Sequence, residues 1–330
     1  MKWTAALMLA AVPLLPARTL NGKEFDIELK GRQSEGYDKA LCRMWIPDGV
    51  QHIRAVILAA TATLGPAEPH WEDLADRTES ALMWYSTYTS EETRLQNLRQ
   101  RRNRPEDRGG QINSALAEFA QKTGHPELKN VPLALCSHLT ALRLFLSYLD
   151  ENPGRVICLM AFYPRDPEPG ELKVTSEARK IPCCFICTDV TAVSYNEEIN
   201  ILFESGRKKG APWCYGVHRG APAVPLYLNA FAIPYIEACI QHRPAVSMAF
   251  SPKPQIKEVD LARGWLVDLE ERKAYAPATY TKNKEKAGWL PDPKTAELWE
   301  LLEAGKLELL KREPTPPEPR PHTPITDPGK

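Results

Sequence analysis

The stretch VPLALCSHLTALRLFLSYLDENPGRVICLMAFYP, residues 131–164, decides the fold. It reads as a short apolar strand, a sharp turn, an amphipathic helix and a second apolar strand. Leu139, Leu142, Leu146 and Leu149 recur at three- and four-residue spacing, which gives the helix one buried stripe. The runs VPLALC and RVICLMAFY show no polar alternation. Strands of that kind are covered on both faces, as in a parallel sheet under helices.

The same pattern continues outward. HIRAVILAA (52–60), ALMWYS (81–86), IPCCFIC (181–187) and APWCYGV (211–217) are further apolar strands, and EFDIELK (24–30) with DKALCRMWIP (38–47) forms an alternating, antiparallel-looking pair. Helical patterns fall between them at 71–79, around Ile112, Leu116 and Phe119 up to Gly124, and near 194–209 and 223–242. Strands alternating with helices predict an α/β domain, a mostly parallel central sheet with helices on both faces, over residues 21–250.

After residue 250 the character changes. WLVDLEERKAYAPATYTKNKEKAGWLPD predicts an irregular or hairpin appendage, and TAELWELLEAGKLELLKRE a helix with Leu301, Leu302 and Leu309 among its apolar positions, together spanning 251–312. Residues 313–330 are proline-rich and expected to be extended and disordered. The stretch 90–110 carries Arg94, Arg99, Arg101, Arg102 and Arg104 among acidic neighbours and reads as a solvated surface segment.

The chain has 330 residues, 43% hydrophobic and 25% charged, with a formal net charge of zero. That balance gives no electrostatic reason to expect nucleic acid or an acidic membrane surface as a partner. Residues 1–20 begin with Lys2 and run apolar from Ala5 to Leu15, shorter than the roughly 20 residues of a membrane span. They predict a secretory signal peptide, hence a secreted or periplasmic protein; an N-terminal helix packed on a cytoplasmic domain is the alternative. No membrane span is expected.

Eight cysteines stand at 42, 136, 158, 183, 184, 187, 214 and 239. Most fall inside apolar runs, where a free cysteine behaves as a small hydrophobe. Cys184 and Cys187 have C-x-x-C spacing but no second pair, and on a strand they point to opposite faces, so no metal or other cofactor is expected. In an oxidising compartment a disulfide remains open, with no pairing readable from the sequence.

The segment 109–164 resembles exported α/β-hydrolases of the dienelactone-hydrolase or esterase-like kind, in which the strand leads into a G-H-S-x-G-G elbow. ARKIPCCFICTDV and GRKKGAPWCYGVHRGAPAV are similar to that family's acid-bearing and histidine-bearing segments, and WLVD and AGWLPD to a C-terminal element of some members. The resemblance spans roughly residues 50–295 and implies an α/β-hydrolase fold acting on esters through a serine, an acid and a histidine, in that order.

The departures sit at the chemistry. Aligned on the elbow, the first glycine is Ser137, the middle histidine is His138, the nucleophile position is Leu139 and the following glycines are Ala141 and Leu142. The acid position falls on Val190 and the histidine position on Ala223, and the oxyanion loop is Ala60 to Gly65 with one glycine. Leucine, valine and alanine transfer no protons. A displaced set, Ser137 with Asp189 and His218, stands in the right order, and Cys136 is a second candidate nucleophile. Two readings follow: a noncatalytic descendant of secreted serine ester hydrolases, holding a small-molecule ester or another pocket ligand or serving assembly, and a carboxylic-ester hydrolase using the displaced triad.

Overall fold

The β-branched and apolar runs become the strands of one large sheet. The computed structural model describes residues 21–31, 37–60, 69–93, 110–164, 174–190, 193–220, 223–243 and 256–309. Residues 1–20, most of the arginine-rich stretch and the proline-rich tail lie outside the described residues, and with them the expectations about a signal peptide and a disordered end.

The sheet comprises β1 (Gly22–Lys30), β2 (Lys39–Pro47), β3 (Ala55–Ala60), β4 (Ser80–Tyr88), β5 (Leu133–His138), β6 (Val156–Phe162), β7 (Cys183–Thr188) and β8 (Trp213–His218). Its eight strands run in the order β1-β2-β4-β3-β5-β6-β7-β8. β1, β2 and β4 pair antiparallel and every pair from β4 through β8 is parallel. The exchange of β3 and β4 in that order follows from α1 (Pro69–Arg77), which carries the chain across from one parallel strand to the next.

Two apolar layers sandwich the sheet. One face packs against α2 (Gly110–Thr123), α3 (Leu142–Glu151) and α4 (Val193–Arg207) through residues such as Phe119, Phe145 and Phe203. The other packs against α1, α5 (Asn229–His242) and α6 (Pro293–Glu303) through Trp71, Phe231 and Trp299. Side chains alternate between these layers, so Cys184 and Cys187 fall in different ones. All eight cysteines are buried and unbridged.

The appendage is a three-stranded antiparallel sheet of β9 (Trp265–Asp268), β10 (Lys273–Tyr275) and β11 (Gly288–Leu290), followed by α6. Asp292 caps α6 by accepting the Thr295 N–H at 2.7 Å. The helix is shorter than its leucine spacing predicts. Gly305 takes φ +66° just past its end, and Leu309 lies beyond it, exposed.

Close contacts join the appendage to the main sheet. Trp299 donates to the Tyr215 carbonyl at 3.0 Å, over a Gly216 whose missing side chain would sit 2.7 Å from the indole nitrogen. Arg207, buried at the end of α4, donates to the carbonyls of Ala287 (2.6 Å), Lys284 (2.7 Å) and Ala211. Replacing Arg207 with Met strips two buried carbonyls and one part-buried carbonyl of a charged donor, and the expected loss of unfolding free energy is about 2–4 kcal/mol. Urea denaturation checks this; a loss under about 0.5 kcal/mol would mean the clamp is dispensable.

Candidate functional site at the carboxyl edge of the sheet

Open parallel sheets bind ligands beyond the carboxyl ends of their strands, and here that edge holds the buried polar side chains of His138, Thr188 and His218. β5 alternates Leu133, Leu135 toward α3 and Ala134, Cys136 toward α5. Ser137 therefore faces the α3 layer and His138 the α5 layer. The next residue, Leu139, leaves the strand with φ +52°, in the left-handed region that leucine rarely adopts. This is a strand-to-helix elbow. A short 3-10 turn, Leu139–Ala141, then leads into α3, and the Leu139 side chain packs against the α5 layer.

A second left-handed residue follows β6. Tyr163 has φ +47°, which breaks the alternation and puts its ring on the α5 side together with that of Phe162. The Tyr163 hydroxyl and His218 Nδ1 are 2.9 Å apart. The two rings are stacked, with centroids 6.3 Å apart, and His138 meets Tyr163 edge-on at 6.3 Å. His138, Tyr163, Thr188 and His218 thus stand at the ends of four adjacent strands, all buried.

The displaced residues are not gathered by this arrangement. Ser137 is 1% exposed, and among the described residues its Oγ has no hydrogen-bond partner. It faces the layer opposite His218. Asp189 is exposed and accepts the Gly220 N–H at 2.9 Å, where Gly220 turns the chain at φ +68°. Its charge reaches His218 only as a field that favours the imidazolium; burial outweighs it and holds the His218 pKa below the ordinary value. Cys136 is sealed under α5, and burial pushes its thiol far up, away from the reactive thiolate.

The family-equivalent positions fare differently. Leu139 and Ala223 pack against the same apolar layer, whereas Val190 is 59% exposed and donates its N–H to Thr188 Oγ1 at 3.3 Å. Most of the expected oxyanion loop, beyond Ala60, lies outside the described residues. Glu303 of α6 reaches the same edge. Its carboxylate accepts the Val217 N–H at 2.6 Å and pairs with Arg219 at 3.2 Å, gripping the two residues that flank His218. Burial raises the Glu303 pKa against the lowering effect of these partners. Among the described residues no group of three or more His, Cys, Asp or Glu side chains is placed to hold a metal ion.

Tyr163 and Glu303 are the residues that sequence reasoning missed. Tyr163 ends an apolar run and gives no sign of its left-handed backbone, and Glu303 lies 86 residues from Val217.

Strand order, helices on both faces and a left-handed elbow after β5 define the class: this is an α/β-hydrolase-fold protein. No protein-family model and no curated protein sequence matches the chain. Among solved structures it is similar to a ferulic acid esterase (9% identity, 68% of this chain and 99% of that one, TM-score 0.45). It is also similar to an esterase of Pyrobaculum calidifontis (13%, 66% and 84%, 0.44) and a dienelactone hydrolase of Anabaena variabilis (16%, 64% and 96%, 0.39). The class rests on the strand order and the elbow.

His218 carries a pH signature. Its folded pKa lies below the unfolded value of about 6.5, so its contribution to stability is present above that pH and is lost as pH falls toward the folded pKa. Urea denaturation between pH 7 and pH 5 is expected to show a stability loss that His218→Gln diminishes, by up to about 1.4 kcal/mol per pH unit. Equal slopes for the two proteins would mean His218 titrates normally.

Proposed function

We propose that this chain is a noncatalytic α/β-hydrolase-fold protein, exported through its N-terminal segment, that keeps the architecture of serine ester hydrolases without their acyl-transfer chemistry. The observation that carries the reading is Leu139 in the left-handed elbow at φ +52°, where a nucleophile of this fold class would stand. The geometry around it supports the same conclusion. Ser137 faces the other layer, and a one-residue displacement on a strand reverses the side from which a nucleophile approaches. His218 already shares Nδ1 with Tyr163, so an aspartate has no place on that nitrogen as orienter.

The carboxyl edge then serves as a binding surface, with Tyr163 and His218 as hydrogen-bonding groups under the apolar Leu139 and Ala223. A small ester or another neutral polar ligand fits that mixture better than an anion, because the buried His218 resists protonation.

One observation favours the rival reading, a carboxylic-ester hydrolase working through Ser137, Asp189 and His218: the Asp189 charge acts on His218 in the direction a triad acid acts. Hydrolysis of p-nitrophenyl acetate separates the two. The full chain is expected to show no saturable turnover, and Ser137→Ala and His218→Ala the same background rate. A saturable rate that drops about 100-fold or more in both variants establishes the displaced triad instead.

A further inference from the structure

Thiols line the sheet face beneath α5. Cys136 of β5, Cys158 of β6, Cys184 of β7 and Cys214 of β8 all turn to the side of the sheet that α5 covers, α5 adds Cys239, and all five belong to one apolar layer. Cys158 reaches it through an irregularity: the β5–β6 register shifts between Val156 and Cys158, so that Ile157 and Cys158 both face α5. Two pairs in this layer lie close enough for one thiol to disfavour its partner's thiolate, Cys158 with Cys239 and Cys184 with Cys214.

The pairs differ in the geometry a bridge requires. Cys184 and Cys214 are direct partners on neighbouring parallel strands. Their side chains rise side by side at the strand spacing of about 4.8 Å, wider than the roughly 3.5–4.5 Å between Cβ atoms that a disulfide takes. Cys158 and Cys239 instead stand on a strand and on the helix packed over it, so the strand spacing does not set their separation. A clamp fixes that separation. Arg243, one turn beyond Cys239, donates its amide to the Cys239 carbonyl at 3.1 Å, and its guanidinium to the carbonyls of Val156 (3.3 Å) and Ile157, the residues just before Cys158. Its other contacts, with Lys257, hold the chain after α5 against the same point.

We propose that Cys158 and Cys239 are an oxidisable pair, which closes to a disulfide as the chain folds in the presence of a low-molecular-weight disulfide, while the other six cysteines stay thiols. The thiolate of one cysteine attacks oxidised glutathione and releases one glutathione thiol. The partner thiolate then displaces the second. The protein loses two protons and two electrons, and oxidised glutathione is reduced to two thiols. Exchange precedes the docking of α5, because burial in the folded layer disfavours the Cys158 thiolate.

The full chain is refolded from denaturant in a buffer of oxidised and reduced glutathione, alkylated under denaturing conditions, and analysed by intact mass and peptide mapping. The expected product carries six alkyl groups and one linked peptide pair, Cys158 with Cys239, and melts about 5 °C or more above the reduced protein. Cys239→Ala, treated alike, is expected to alkylate at every remaining cysteine. Eight alkylated cysteines in the wild-type chain, or a bridge mapped to Cys184 and Cys214 or to any other pair, overturns the proposal.

Discussion

A parallel strand covered on both faces leaves no room for an approximate position. Along β5, β7 and β8 successive side chains alternate between the α2, α3 and α4 layer and the α1, α5 and α6 layer. This constraint separates Ser137 from His218 more firmly than any gap along the chain. The serine is one residue from His138, which meets Tyr163, yet it looks into a different layer. Only a residue that leaves the strand geometry can cross over, and the two that do so at the site, Leu139 and Tyr163, have left-handed backbones.

Such a backbone costs on the order of 1 kcal/mol at each non-glycine residue and persists only where its surroundings impose it. At Leu139 the imposing elements are β5, the short 3-10 turn and α3, the parts that in an active enzyme of this class would present the nucleophile. The elbow is occupied by a leucine that packs on the α5 layer. The polar groups left at the edge bond to one another, as Tyr163 does to His218 and Asp189 to the Gly220 amide. Glu303 adds an outside grip, so the C-terminal helix helps to hold the strand that ends in His218.

Much of the framework was legible in the sequence, because two-sided burial writes itself as unbroken apolar runs. VPLALC, RVICLMAFY, IPCCFIC and APWCYGV each became a buried parallel strand, with ends shifted by a residue or two. The opposed directions of Cys184 and Cys187 followed from period-two alternation alone. Contacts between distant segments were not legible. No local pattern pairs Tyr163 with His218, aims Arg207 at carbonyls near residue 285, or sets Glu303 beneath Val217. The last helix was overread for a related reason: leucine spacing continues to Leu309, but Gly305 ends the helix and nothing buries the leucine beyond it.

The most direct test of the account is chemical: the folded full chain is exposed to a fluorophosphonate probe beside an active serine esterase, and adducts are mapped by mass spectrometry. The esterase is expected to label and this protein to remain unmodified, since its elbow presents a leucine and, among the described residues, Ser137 Oγ has no hydrogen-bond partner. A single stoichiometric adduct on Ser137 that disappears in His218→Ala would contradict it, because it would mean the two side chains meet.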